Sequence, residues 1–375
     1  MTGGTATLPK TLDALNRGRI EGLHVGAQLY ASVAGQVIAD VAVGLARLAG
    51  QVAMHPDTLM LWLSATKPVA AVAVAQLWER GLLDLDDPVA RHIETFGRRG
   101  KDRVTIRHLL THTAGFRALP GRWEEQPWDA IISAVCDARL ETDWEPGKKA
   151  GYHLATSWYV LGELVRRLEP QQRPFERYVR EMLFEPLGMK DSWVGLPPDR
   201  YRQYGERIGV MHDTTDAAVP KAPHPADTEE GAAACRPGSN GRGPARELGF
   251  FYEMLLERGQ RNGQRVLSPQ SVEAITAPHR VGMYDNTFRH TMDWGLGFLI
   301  NSNRYGPGIA PYGYGPYASP RTFGHGGSQC ATAFADPERQ LAVAIVWNGR
   351  PGEARHDKRL RETLKALYED LGLTK

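Results

Sequence analysis

Between Ala65 and Arg80 lies a stretch in which every position from Val69 to Ala75 is valine or alanine, and this stretch limits the possible folds more than any other feature of the chain. Its length and the stop at Gly81 predict a helix. A helix that is apolar around its whole circumference must be enclosed by other elements. Strand-like runs stand at both ends of the chain to help with that. His24 to Val33 and Gln36 to Leu45 flank Ala34-Gly35 and predict a hairpin. Leu59 to Leu63 is a third short strand. Trp294 to Asn301, Gln329 to Ala335 and Leu341 to Trp347 are strands near the other end, the last two joined by the turn Asp336-Pro337-Glu338-Arg339.

Leu8 to Arg19 and Arg355 to Leu371 read as amphipathic helices, and Val104–Leu110, Trp128–Ala138, Ser157–Arg167, Pro174–Leu183 and Pro244–Glu257 as further helices. The segment 196–243 is polar and rich in Gly, Pro, Asp and Arg, a long loop of the kind that carries function. The predicted fold class is α/β of the α+β type. An antiparallel sheet built from both ends of the chain is flanked by the N- and C-terminal helices, with a mostly helical region inserted. The expected division is 1–63 plus 245–375 for the sheet part and 64–244 for the helical part, with the active site at their junction.

A chain of 375 residues is long enough for one large domain or two intimately packed ones. Forty-five basic against forty-three acidic side chains leave a formal charge of +2, too small a field to draw in nucleic acid or a membrane surface. The basic cluster Arg98, Arg99, Lys101 and Arg103 is interrupted by Gly100 and Asp102 and reads as a solvated loop. No run approaches the roughly 20 apolar residues that span a bilayer. The first twenty residues lack the basic-then-apolar pattern of a signal peptide. Cys136, Cys235 and Cys330 are far apart and show no C-x-x-C spacing, which fits reduced thiols in a cytoplasmic protein. The histidines include no H-E-x-x-H, so nothing suggests a hydrolytic metal centre.

Three stretches carry chemistry. In Ser64-Ala65-Thr66-Lys67, positions i and i+3 share a helix face, so hydroxyl and amine can meet if a helix begins at the serine. Pro68 supports that start, because proline is tolerated in a first turn. A lysine at the mouth of a buried helix loses charge, and a neutral amine can accept the serine proton. The motif S-x-x-K alone arises about once by chance in a chain of this length. Tyr152 follows the Pro146-Gly147 turn, where a phenol could face a cleft or simply pack in the core. Gly324-His325-Gly326-Gly327-Ser328 precedes the strand Gln329–Ala335; its glycines would let a substrate lie along a strand edge, and Ser328 N–H could stabilise an oxyanion.

Taken together and in order, these stretches resemble the serine β-lactamase and penicillin-binding-protein superfamily, and within it the class C β-lactamase-like family VIII carboxylesterases. Val104 to Gly115 and Asn240 to Arg246 look like further landmarks of the same family. The resemblance runs from the hairpin at 24–45 to the terminal helix. It implies that Ser64 is acylated, that Lys67 accepts or relays its proton, and that Tyr152 acts as general base with Lys67. The ammonium is then expected to pull the phenol toward phenolate. Ser64 and Ser328 N–H would hold the oxyanion, and His325-Gly326-Gly327 stands where such β-lactamases carry K-T-G. His112 belongs to a stretch that looks structural in the family.

Two departures favour the esterase branch. Leu154 replaces the asparagine of Y-x-N, and His325 replaces the lysine that would anchor a substrate carboxylate. The implied function is a carboxylesterase acting through an acyl-enzyme on small or aromatic esters, a mechanism that needs no metal or organic cofactor. A β-lactamase, a D-amino-acid amidase or peptidase, an oligoamide hydrolase and an acyltransferase share that step and stay open, as does a non-catalytic module binding peptidoglycan-like ligands. Trp62, Trp158, Trp294, Tyr284 and Phe288 are candidates for an aromatic substrate wall, and the loops 196–243 and 282–320 for the parts that choose the substrate.

Overall fold

Gly26–Val33 and Gln36–Arg47 pair antiparallel across Ala34 and Gly35, whose φ angles of 49° and 74° give the left-handed two-residue turn that matches strand twist. The computed structural model, which describes residues 8–221, 224–306 and 310–374, builds a nine-stranded sheet on this hairpin. Its spatial order is Arg280–Asp285, His290–Trp294, Leu299–Ile300, Phe323–Gly327, Ala331–Asp336, Leu341–Trp347, Gly26–Val33, Gln36–Arg47 and Val52–Ala53. Every neighbouring pair is antiparallel.

The two faces are covered by different helices, and the period-two alternation of side chains decides which residue meets which. On one face the helices Pro9–Ile20 and Glu353–Asp370 lie together. Leu15, Leu360, Leu364 and Leu367 pack there against Leu29, Ala31, Val343 and Ile345. On the other face the helix Ala245–Leu256 sets Leu248, Phe251 and Leu255 against Tyr30, Ala333, Ala344 and Val346. Covering both faces explains why Leu341–Trp347 is buried at every position and shows no polar alternation.

The valine- and alanine-rich helix is Lys67–Glu79, entered through a single 3₁₀ turn at Ser64–Thr66 and left at Gly81, where φ is 68°. All residues from Lys67 to Leu77 are buried. The helices Thr156–Leu168, Phe175–Val179 and Pro269–Thr276 surround it.

Several elements differ from the sequence reading. Met60–Leu63 does not join the large sheet but pairs with Gly241–Gly243, which also pairs with Trp193–Val194. Trp294–Asn301 is no single strand. Gly297, at φ 83°, turns the chain between His290–Trp294 and Leu299–Ile300. The glycine-rich stretch at 324–327 is itself a strand, and the turn comes after it, at Ser328 to Cys330. Residues 174–183 open as the helix Phe175–Val179 and widen into a π-helical turn, Arg180–Phe184. The segment 196–243 carries short helices, Pro198–Tyr204 and Glu229–Ala233. Residues 222–223 of that loop, 307–309 of the loop 282–320, and 1–7 of the N-terminal stretch lie outside the described residues.

Candidate active site

The strand Met60–Leu63 delivers the chain to Ser64 through an unfavourable conformation. Leu63 has φ 47° and ψ −131°, a region that a branched side chain enters only when its surroundings impose it. Those surroundings are specific. Thr66 Oγ1 donates to the Leu63 carbonyl at 2.6 Å and accepts from Gly241 N–H at 2.8 Å. The landmark stretch that begins at Asn240 thus ties the Ser64 turn in place; Asn240 itself donates to the carbonyls of Gly231 and Ala234 at 2.9 and 2.6 Å.

One turn along, Lys67 is fully buried. Its Nζ lies 3.0 Å from Ser64 Oγ, 2.9 Å from the Leu154 carbonyl and 2.8 Å from the Gly238 carbonyl. Burial pushes its ammonium down to about 7. The contact geometry suits both protonation states. An ammonium donates three hydrogen bonds; a neutral amine donates two, to the carbonyls, and turns its lone pair to the Ser64 hydroxyl.

Tyr152 comes from the segment before the helix Thr156–Leu168, with Lys67 Nζ 5.1 Å from its ring centroid. Its backbone N–H donates to Asp285 Oδ1 at 3.1 Å, and Asp285 also accepts from Thr287 and Phe288 N–H at 2.9 and 3.0 Å. Arg280 pairs with the same carboxylate at 3.0 Å, both side chains being buried. His112 accepts from His153 N–H at 3.0 Å and packs its ring 4.6 Å from that of Tyr152 and 4.7 Å from that of Trp294.

The expected phenolate is not what this surrounding favours. Burial raises the Tyr152 phenol well above its ordinary value, outweighing the hydrogen bond with Ser64 that lowers it. A neighbouring ammonium favours phenolate only where desolvation does not outweigh it, and an amine that is itself pushed down to about 7 offers little counter-charge.

The strand Phe323–Gly327 forms the opposite wall. At Gly327 a Cβ would lie 2.2 Å from the Trp62 carbonyl oxygen, so only glycine lets this strand run against the segment that carries Ser64. Gly327→Ala is expected to move Ser328 and lower kcat by about 10²–10³, the usual loss for one oxyanion donor or an ångström of misplacement. Steady-state kinetics beside a circular-dichroism check of the fold measures it. His325 Nδ1 donates to the Gly326 carbonyl at 2.7 Å, which leaves Nε2 as an acceptor, and that atom is buried without a partner. Burial, with Lys67 second, pushes the imidazole down to about 3, so it is neutral.

Ser64, Tyr152, His325, Gly326 and Ser328 line one cavity of about 490 Å³. Of the aromatic side chains singled out from sequence, Trp294 and Phe288 line it. Trp62 and Trp158 are core residues, and Tyr284 is exposed on the strand Arg280–Asp285. Tyr312, Leu154, Glu353 and His356 line the cavity as well. Sequence reasoning missed Asp285, although Asp285-Asn286-Thr287 has the composition of a side-chain-capped turn. It also missed the two carbonyls that hold Lys67, because a carbonyl leaves no mark in a sequence.

Residues 12–368 match the sequence profile of the Beta-lactamase family. Esterase EstB of Burkholderia gladioli is 30% identical over 323 residues, 78% of this chain and 80% of that protein. Esterase/beta-lactamase LipL of Mycobacterium tuberculosis is 28% identical over 348 residues, 86% of this chain and 77% of that one. The crystal structure of a family VIII carboxylesterase superposes with a TM-score of 0.81 at 26% identity, covering 98% of this chain and 99% of the other. A profile that spans nearly the whole chain, relatives that align over most of its length and a matching fold lead to one conclusion: the protein belongs to the Beta-lactamase family.

Proposed function

We propose that the protein is a carboxylesterase that acylates Ser64, with Lys67 as the proton acceptor and Tyr152 as the donor at the leaving group. The observation that carries this reading is the setting of Lys67 Nζ, 3.0 Å from Ser64 Oγ, fully buried and pushed down to about 7. Near neutral pH it takes the Ser64 proton as Oγ bonds to the acyl carbon. The oxyanion faces Ser64 and Ser328 N–H. The carbon–oxygen bond to the alcohol then breaks, and the alcohol leaves with the proton that Ser64 gave up, passed through the protonated Tyr152 phenol. Water cleaves the acyl-enzyme to the acid and restores Ser64. No metal or organic cofactor takes part in this sequence of steps. The site would lie where the sheet part, 1–63 and 245–375, meets the helical part, 64–244.

Ester substrates are favoured over β-lactams because the neutral His325 stands where a lysine would hold a carboxylate. The relative Esterase EstB points the same way. A non-catalytic module is disfavoured by a serine, an amine and a phenol that meet with every Lys67 contact filled. The three cysteines are unpaired, which supports a cytoplasmic setting. No helix among the described residues is long and apolar enough to cross a membrane.

A fluorophosphonate probe is expected to label the protein once, at Ser64, and p-nitrophenyl butyrate to be turned over. Ser64→Ala should abolish the label and lower turnover at least about 10³-fold. Labelling of Ser64→Ala to the wild-type extent, or nitrocefin turnover matching ester turnover, would overturn the assignment.

A further inference from the structure

The wall of the cavity away from Ser64 is built by the start of the helix Glu353–Asp370 and by three aromatic rings. Glu353 and Asp357 line it together with Phe288, Trp294 and Tyr312. Among the described lining residues there is no lysine or arginine. Cations of the surrounding elements are otherwise engaged, Arg355 with the carbonyls of Pro351, Thr214 and Thr215. Arg361 pairs with Asp357. Arg359 is buried behind the wall, donating to the carbonyls of Leu23, Gln329 and Gly349 and to His356 Nδ1. Lys67 is held by its two carbonyls and Ser64.

Glu353 is different. Its carboxylate accepts from Tyr312 Oη at 2.8 Å and from Gln329 Nε2 at 3.0 Å, and among the described residues it enters no ion pair. Tyr312 Oη accepts in turn from Gln329 N–H at 3.2 Å, so carboxylate and ring are held by a closed set of neutral donors. A second, separate feature of the same cavity asks for a donor from the ligand: His325 is buried, lines the cavity and keeps Nε2 as an acceptor with no partner. His356, whose Nδ1 accepts from Arg359, offers one neutral N–H in return. An un-neutralised carboxylate, a spare imidazole acceptor and aromatic faces form the environment that attracts a positively charged group and repels a carboxylate.

We infer that this cavity selects esters bearing an ammonium group, with Glu353 and the Phe288, Trp294 and Tyr312 rings as the cation subsite. The inference rests on the esterase reading for its kinetic test but not for its binding test. The two substrates to compare are butyrylthiocholine and S-(3,3-dimethylbutyl) thiobutyrate, which share a shape and differ by one charge. The expected result is a kcat/KM at least tenfold higher for the cation, carried mainly in KM. That ratio should shrink with added salt and fall to within twofold of one in Glu353→Gln, which removes the charge, keeps the shape and retains one of the two acceptances through its amide oxygen.

Equal kcat/KM for the two thioesters in the unaltered enzyme, or an undiminished ratio in Glu353→Gln, would overturn the inference while leaving the esterase reading in place. If neither thioester nor p-nitrophenyl butyrate is hydrolysed, the esterase reading falls. The subsite is then decided by calorimetry with phenyltrimethylammonium on the unaltered protein. Binding that is weakened at least tenfold in Glu353→Gln supports it, and no binding at millimolar ligand refutes it.

Discussion

Replacing Lys67 by Met is expected to lower kcat/KM for p-nitrophenyl butyrate by about 10²–10⁴, the range that a positioned general base commonly supplies, and to remove the inflection of the pH profile near 7. The sign follows from the burial of the amine. Its ammonium is pushed down to about 7, so the acceptor form is scarce below that pH and complete above it, and activity rises through neutrality. The histidines around the site cannot produce the same curve. His325 and His153 are pushed down to about 3, so neither gains or loses a proton between about pH 5 and 8, and burial displaces His112 in the same downward direction, away from the inflection of the amine. Tyr152 is displaced upward and stays protonated there. A pH profile of kcat/KM from about 5.5 to 9 for both proteins checks this. An inflection near 7 that survives in Lys67→Met belongs to another group and ends the assignment.

Asp285→Ala is expected to destabilise the protein by about 3–5 kcal/mol, the cost of removing one partner from a buried ion pair. Arg280 and Asp285 are 1% and 0% exposed at the side chain. With the carboxylate gone, Arg280 keeps the Thr111 carbonyl at 3.1 Å, and its charge lies in apolar surroundings that already lower its pKa to about 10. Combining the change with Arg280→Met removes the stranded charge and recovers part of the stability. Activity does not return with it, because the N–H groups of Tyr152, Thr287 and Phe288 all lose their acceptor in either protein. Chemical denaturation and kcat, measured on the single and double variants, separate the two effects. A loss below about 1 kcal/mol in Asp285→Ala contradicts the pair's role, as does full recovery of kcat in the double variant.

What the sequence reveals of this molecule follows from what its physics writes into residue order. The hairpin at 26–47, the strand Leu341–Trp347 and the helix after Ser64 were all legible because each is long, periodic or wholly apolar. Leu299–Ile300 was not, since two residues carry no period, and Gly295 to Gly297 read as part of a strand rather than as its break. Ser64, Tyr152, His325 and Ser328 line one cavity, and Lys67 Nζ lies 3.0 Å from Ser64 Oγ behind it. The protonation of Tyr152 was misjudged for a physical reason. A neighbouring charge can be named from a motif, whereas the desolvation that outweighs it depends on Trp294, Phe288 and His112, which pack on the phenol from distant parts of the chain.

Ala27 faces Trp347 in the register of the central strands, so the middle of the sheet is a seam between an earlier and a much later part of the chain. During synthesis the hairpin and the helix that follows Ser64 are complete long before their partner strand leaves the ribosome, and their apolar faces wait uncovered until it does. Such distant pairing also slows folding of the finished chain. The cavity beside Ser64 draws its lining from early segments, Ser64 and Tyr152, and from late ones, His325, Ser328 and Glu353, so a nascent chain that stalls short of residue 340 holds the serine and the lysine without a finished cavity around them.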